Sequence, residues 1–104
     1  MTINVLCIFH AIPEHRDELK RRLEVMAAAT HAEEGCLLYA VQEGAEDPNL
    51  LAIVEKWESD EALARHATQP HVVDGGDERR AMMSQPGIVV KTRNADDSAW
   101  PVGL

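Results

Sequence analysis

The sequence predicts an α+β fold with the element order β-α-β-β-α-β, the ferredoxin-like arrangement of an antiparallel sheet with helices on one face. Two observations support this prediction. Apolar, β-branched runs alternate with two segments of helical periodicity. Connections in compact domains are short and parallel crossovers are right-handed, so few topologies fit this order. The 104 residues suffice for one domain, 1–104, whose core we expect over about 3–94.

Four strands are predicted from runs rich in Val, Ile and Leu, at 3–10, 36–43, 50–58 and 88–94. The short turn between the second and third runs, which contains Gly44, Pro48 and Asn49, predicts an antiparallel hairpin. The first two strands are not neighbours in the ferredoxin-like order. Cys7 and Cys36 are therefore not expected to meet.

The first helix is predicted over 14–34, because Pro13 suits a first turn, apolar residues follow at helical spacing, and Gly35 is a natural stop. The second helical segment begins after Ser59, a good N-cap, and is predicted to end near His66. Pro70 marks a restart, and the Gly75-Gly76 pair makes a continuous helix costly. We therefore expect a broken segment whose last piece covers about 77–84.

The strands are apolar on both faces, but two helices can cover only one face of the sheet. The chain also has only four aromatic residues with which to fill a core. Both observations predict a homodimer in which the uncovered faces of two sheets pack together. The tail, 95–104, is polar apart from the segment at Trp100, and we expect it to pack on the domain or on the dimer mate.

The charge and cysteine content limit the class of protein. Ten basic against 18 acidic residues give a net charge of −8, so nucleic acid and anionic membrane surfaces are unlikely partners. The apolar run at the start is about half as long as a transmembrane helix. The two cysteines form no CxxC motif and have no histidine at zinc-site spacing. These features predict a soluble, cytoplasmic protein with reduced thiols.

Glu55 is the first candidate functional residue, because strand alternation puts it on the same face as the apolar Ile53 and Trp57. Burying a carboxylate costs several kcal/mol unless it is paired or hydrogen-bonded. A structural interpretation is equally open, in which this acid simply bonds a backbone N–H or an arginine.

His66 and His71 are the second candidates. His66 follows Leu63 by three residues and so shares the inward side of its helix, although a histidine at a helix C-terminus can also simply satisfy free carbonyls. Two histidines at this spacing are a weak metal signal, and the sequence suggests no acid placed to complete a site. Tyr39 and Trp57 lie on paired strands, where core packing is the default.

Motifs for common cofactors are absent. The sequence contains no glycine-rich phosphate loop, no GxGxxG and no GxSxG. We therefore expect no cofactor and no metal.

Two segments resemble the antibiotic biosynthesis monooxygenase (ABM) domain family. In the first, Glu33, Gly35, Cys36 and Tyr39 form an E-x-GC-x-x-Y pattern after a strand, a proline and a long helix. In the second, an acid and an aromatic residue two apart precede a Ser-capped helix that ends in histidine; its residues are Glu55, Trp57, Ser59, His66 and His71. The similarity covers about residues 3–94.

The resemblance implies a dimeric α+β barrel. Its family includes cofactor-independent oxygenases of quinols and polyphenols, an isomerase of a phosphorylated autoinducer, and haem-degrading enzymes. Haem-degrading members carry their iron ligand in the segment that here reads DGGDERR, and no histidine follows His71, which argues against haem. Relatives usually have a continuous, more apolar helix there, which roofs the pocket.

Our leading hypothesis is oxygenation of a quinol or polyphenol by O₂, with His66 as the base because imidazole titrates near neutral pH. Glu55 orients it or holds a substrate hydroxyl, Tyr39 and Trp57 line the pocket, and His71 binds a second oxygen. A cofactor-free isomerase of a small, possibly phosphorylated, carbonyl compound is the first alternative. An anionic substrate of that kind needs an arginine at the mouth; Arg65 and Arg79 are the nearest in sequence, and neither stands out. A non-catalytic binding dimer is the second alternative.

Overall fold

The sheet has the four predicted strands in the ferredoxin-like order, although the third ends at Trp57 and the fourth at Thr92, earlier than the predicted 50–58 and 88–94. A computed structural model describes residues 1–95 and 103–104 of the chain. Its strands are β1 (Ile3–His10), β2 (Cys36–Glu43), β3 (Leu50–Trp57) and β4 (Ile88–Thr92). They pair antiparallel in the order β2-β3-β1-β4. The ferredoxin-like α+β fold is thereby confirmed, and Cys7 and Cys36 lie on strands that do not pair and are both free thiols.

The first helix is shorter than predicted. A 3₁₀ turn at Pro13–His15 precedes α1 (Arg16–Thr30). The helix ends at Thr30, whose hydroxyl donates to the carbonyl of Met26 at 2.8 Å, and the chain then turns through 31–35. The prediction of a helix over 14–34 was too long at both ends, because helical spacing does not reveal where the turns begin.

The second helical segment is broken, as expected. Helix α2 (Asp60–His66) begins after Ser59, whose side-chain oxygen accepts from the N–H of Ala62 at 3.1 Å. Two short helices follow, α3 (Pro70–Val73) and α4 (Gly76–Ala81). Gly75, with φ of 77°, separates them in a left-handed conformation that glycine adopts without strain. The last piece therefore covers Gly76–Ala81 rather than 77–84.

The core lies between the helices and the inner face of the sheet. Its largest fully buried side chains include Trp57, Leu19, Leu23, Leu51 and Ile53. The outer face carries apolar side chains that remain 37–48% exposed, namely Leu6, Leu38, Ile88 and Val90. The chain therefore has one covered and one uncovered apolar face.

No helix in the described part of the chain is long and apolar enough to cross a membrane. The tail prediction lies largely outside the described residues, since 96–102, including Trp100, are among those not described. Residues 103–104 contact their own chain, because the carbonyl of Leu104 accepts hydrogen bonds from Lys56 and Asn94.

Candidate active site

A histidine and a carboxylate from distant segments meet on the inner side of the sheet. His66 is the last residue of α2, and Glu33 lies in the turn between α1 and β2. The Nδ1 atom of His66 is 2.7 Å from Oε2 of Glu33. Both side chains are largely buried, at 8% and 11% exposed. A buried imidazole is thus held in one orientation by a carboxylate.

Gly35 joins the turn that carries Glu33 to the helix that carries His66. Its φ of 87° is in the left-handed region, and a Cβ built on it would lie 2.6 Å from the Cβ of Ala62 in α2. Its carbonyl also accepts from the N–H of Glu58 at 2.9 Å. Only glycine allows this close approach, so Gly35 fixes the position of the turn relative to α2.

His71, in α3, completes the cluster. Its Nε2 atom is 2.8 Å from the same Oε2 of Glu33. A glutamate carboxylate accepts hydrogen bonds and donates none, so each imidazole nitrogen that faces it carries a hydrogen. His66 in its neutral form is then protonated at Nδ1 and has its lone pair on Nε2.

The expectation that no acid stands near the two histidines was wrong. Glu33 supplies one, and its role was missed although the residue belongs to the E-x-GC-x-x-Y motif. The ligand atoms of Glu33, His66 and His71 lie within 4.8 Å of one another, a two-histidine, one-carboxylate set that suits a divalent transition metal. A metal bound there would take the place of the hydrogens on Nδ1 of His66 and Nε2 of His71, which now bond Glu33.

Two aromatic rings of the inner face pack against the ring of His66. The ring centroid of Trp57 is 4.6 Å from that of His66, with an angle of 39° between the planes. The Tyr39 ring lies at 5.5 Å and 58°. Trp57 is fully buried and Tyr39 is 4% exposed, so neither lines the open cavity. Our expectation that these two residues line the pocket differs from the structure, because His66 covers them.

A cavity of about 610 Å³ lies between β1, β4 and the helices α2 and α3, a size typical of small-molecule sites. Glu55 and His66 both face it. Its walls are mainly apolar and include Ile3, Val5, Cys7, Leu63, Ala64, Ala67, Val72 and Val89. The structure thus brings Glu55 and His66 to one cavity, while His71 lies on the far side of Glu33.

Glu55 is held by two side chains of the inner face. The indole N–H of Trp57 donates to its Oε1 at 2.8 Å, and the thiol of Cys7 donates to its Oε2 at 3.5 Å. Burial raises the pKa of Glu55, and the hydrogen bond from Trp57 and the nearby His66 partly oppose that shift. Among the described residues, neither a backbone N–H nor an arginine bonds this acid, contrary to the structural interpretation.

The rim of the cavity carries charge. Lys91 and Arg93 line it from β4 and the residues that follow, and Asp60 lines it from α2. Arg93 is paired with Asp60 at 3.0 Å. Arg65 and Arg79, the cations nearest in sequence to the site, do not line this cavity. Lys91 and Arg93 were missed as candidates, because their place at the cavity depends on the register of β4 against β1 and not on their distance from His66 in the sequence.

His71 lines a second cavity, of about 400 Å³, between α1 and the segment that contains Asp74 and Arg79. The guanidinium of Arg79 donates to the carbonyl of Asp74 at 3.0 Å and to that of Val72. The Glu33 cluster therefore lies between two cavities, with His66 on one side and His71 on the other.

Comparisons with known proteins identify the family and the fold of the chain. Residues 2–76 match the model of the antibiotic biosynthesis monooxygenase family. The Mycobacterium tuberculosis protein named "Putative monooxygenase Rv0793" is 28% identical over 97 residues, which cover 93% of this chain and 95% of that protein. The solved structure of Rv0793 covers 95% of this chain and 100% of its own, with a TM-score of 0.87.

A second solved structure, of PA3566 from Pseudomonas aeruginosa, is 27% identical, covers 88% of this chain and 91% of its own, and has a TM-score of 0.81. A conserved protein from Methanosarcina mazei is 22% identical, covers 89% of this chain and 92% of its own, and has a TM-score of 0.85. The latter similarity concerns the fold alone.

Proposed function

Because the chain belongs to the antibiotic biosynthesis monooxygenase family, we propose that it is a cofactor-independent monooxygenase of a quinol or polyphenol. The observation that carries this proposal is the arrangement of His66. Its Nδ1 is held by Glu33 at 2.7 Å, and the ring lines an apolar cavity of about 610 Å³. A base held in one orientation beside an apolar wall is what proton abstraction from a flat aromatic substrate needs.

His66 acts as the general base through Nε2, the ring nitrogen that Glu33 leaves free. When Nε2 takes a proton from a phenolic hydroxyl, the ring becomes an imidazolium, and the negative charge of Glu33 stabilises it. Trp57 and Tyr39 keep the ring from rotating, so that the same nitrogen always faces the substrate. Glu33 is therefore the positioning residue that the sequence hypothesis had assigned to Glu55.

The reaction balances without an external reductant. The phenolate gives one electron to O₂, and the two radicals join in a carbon–oxygen bond. The resulting peroxide anion takes back the proton from Nε2 of His66 and becomes a ring hydroperoxide. His66 then removes the hydrogen of the ring carbon that bears the peroxide, the O–O bond breaks as the C=O bond forms, and this proton joins the departing hydroxide to give water. One oxygen atom stays on the ring as a carbonyl and the other leaves as water. The substrate supplies all four electrons, so neither a flavin nor a metal is required.

Glu55 holds a substrate hydroxyl in this proposal. Its carboxyl group faces the cavity with His66. Because burial raises its pKa, the group takes up a proton more readily than an exposed glutamate and can donate as well as accept a hydrogen bond. His71 has no substrate contact in this proposal; it bonds the same Oε2 of Glu33 as His66 does.

Oxygen uptake with a panel of quinols tests the proposal. We expect His66→Ala to lose at least about a hundredfold in kcat, as for removal of a general base. His31→Ala is the matched control, because that histidine bonds the backbone carbonyl of Tyr39 rather than Glu33. Equal turnover by the wild type and His66→Ala would remove His66 from the mechanism.

A cofactor-free isomerase of an anionic carbonyl compound remains the second candidate. The observation that favours it is the pair Lys91 and Arg93 at the cavity rim. Such a reaction uses the same base and does not consume O₂. Turnover that is unchanged under nitrogen therefore identifies the isomerase.

The active unit in our proposal is a homodimer. Support comes from the outer face of the sheet, where Leu6 lies between Val54 and Val90 in one row across three strands. The side chains of Leu6 and Val90 are 37% and 45% exposed. A contiguous apolar face of this kind is typical of a protein interface, and a second copy would cover it.

A further inference from the structure

The row of side chains across the inner face at Glu55 has a cation at its far end. The register pairs Glu55 with Val5 and Val5 with Lys91, so the three residues lie side by side on β3, β1 and β4. Directly paired residues point to the same face of a sheet. All three line the cavity of about 610 Å³. The cavity floor thus runs from an acid through an apolar centre to an amine.

We propose that Lys91 recognises an anionic group on the substrate, at the end opposite the hydroxyl that reacts. This inference rests on the proposed use of the cavity as the substrate site. The inference narrows the proposed substrate class to a hydroxylated aromatic compound with a carboxylate or another anionic substituent.

The charges around the cavity single out Lys91. Five of the residues that line the cavity have a carboxylate, imidazole, amine or guanidinium side chain, namely Glu55, Asp60, His66, Lys91 and Arg93. Asp60 and Arg93 are paired at 3.0 Å and largely cancel each other. Lys91 makes no hydrogen bond or ion pair with residues 1–95 and 103–104. Its charge also acts on Asp60 and helps to lower the pKa of that carboxyl, but Asp60 already bonds Arg93. Lys91 is therefore the cation of this rim that has no ion-pair partner among the described residues.

The spacing matches a single-ring substrate. Neighbouring strands lie about 4.8 Å apart, so Glu55 and Lys91, two strands apart, are separated by about 10 Å between their Cα atoms. An aromatic ring over Val5 can present a hydroxyl to Glu55 and His66 at one end and a short acidic side chain to Lys91 at the other. The net charge of −8 makes a local cation at this mouth the main attraction for such an anion.

Binding of matched catechols under nitrogen tests this inference without turnover. The probes are dihydrocaffeate, its neutral methyl ester and dopamine, which share one ring and differ in the charge of the side chain. We expect calorimetry to give about tenfold tighter binding of dihydrocaffeate than of the ester, as for one charge-assisted hydrogen bond. Lys91→Met should abolish this preference, and Lys91→Arg should keep it.

Arg65→Met is the matched control, because it removes the same charge from an exposed residue of α2 that does not line the cavity. Lys91→Glu should shift the preference to dopamine, a gain that a misfolded variant cannot produce. Equal binding of the three probes by the wild type, or an unchanged preference in Lys91→Met, would overturn the inference.

The same experiment separates this inference from the proposed function. Oxidation of neutral quinols without any preference for the anion would leave the monooxygenase proposal standing and refute the role of Lys91. Binding of dihydrocaffeate that depends on Lys91, with no oxygen uptake for any quinol, would support Lys91 and refute the monooxygenase.

Discussion

The Nδ1 atom of His66 lies 2.7 Å from Oε2 of Glu33, although 33 residues separate them in the chain. This contact occupies Nδ1 and leaves Nε2 as the nitrogen that carries the lone pair in the neutral imidazole. It also joins the turn after α1 to the end of α2, so the chemistry depends on how these two segments pack.

Glu33→Gln should lower kcat about a hundredfold, with little change in KM. The amide keeps the size of the side chain but has no charge to stabilise the imidazolium. Steady-state oxygen uptake with a quinol measures the effect. Glu34→Gln, an exposed neighbour, is the control and should retain wild-type activity. A change in KM alone would show that Glu33 acts on binding instead.

Chelators should leave the activity intact, whereas added Zn²⁺ should inhibit it. A divalent ion bound by Glu33, His66 and His71 takes the lone pair of Nδ1 and leaves the hydrogen on Nε2. His66 is then a donor and not a base. Inhibition should weaken in His71→Ala, which removes one ligand. Loss of activity in a chelator, restored by one equivalent of metal, would contradict this prediction.

Glu55→Gln should change how stability depends on pH. Burial raises the pKa of Glu55 in the folded chain above its usual value of 4.5. Between the pKa of the unfolded chain and that of the folded chain, the folded chain therefore holds more protons. The free energy of unfolding therefore falls as pH rises through this interval. Urea unfolding from pH 4 to 8 should show a smaller fall in the Gln variant. Glu61→Gln, at an exposed position, should follow the wild type.

The thiol of Cys7 should resist alkylation in the folded protein. Burial, followed by the charge of Glu55, raises its pKa to about 12, and the thiolate is the reactive form. Mass spectrometry after iodoacetamide treatment at pH 8 should show modification of Cys7 only in denaturant. Glu55→Gln should increase the rate in the folded state, because it removes one cause of the raised pKa. Rapid labelling of the wild type would refute this.

Leu6→Lys should convert the proposed dimer to a monomer. The new charge would lie on the outer face of the sheet, where a partner would have to bury it. Sedimentation velocity measures the change in mass. Val25→Lys is the control, since Val25 is 60% exposed on α1 and away from the sheet. A wild type that sediments as a monomer would contradict the proposal.

Much of the fold could be predicted because its signals are local. The runs of β-branched residues predicted β1 and β2 with their observed ends, and Ser59 predicted the start of α2. Alternation along β3 predicted that Glu55 and Trp57 are buried on one face.

The contacts of the site could not be predicted in the same way. Alternation says that Trp57 is buried but not that His66 covers it. The link from Glu33 to His66 and His71 depends on how a turn packs against two helices, which no spacing in the sequence encodes. Lys91 was missed because sequence proximity favoured Arg65 and Arg79, whereas the register of β4 against β1 pairs Lys91 with Val5.

The row from Glu55 to Lys91 also selects substrates by their length. Its length is set by the spacing of hydrogen-bonded backbones, so side-chain substitutions along the row leave it unchanged. Because β4 is the edge of the sheet, Lys91 stands on the outermost strand that this side of the sheet provides. A longer substrate that is held at Glu55 and lies along the row would extend past β4, the edge of the sheet. The backbone thus sets an upper limit on the length of a molecule that can contact Glu55 at one end and Lys91 at the other.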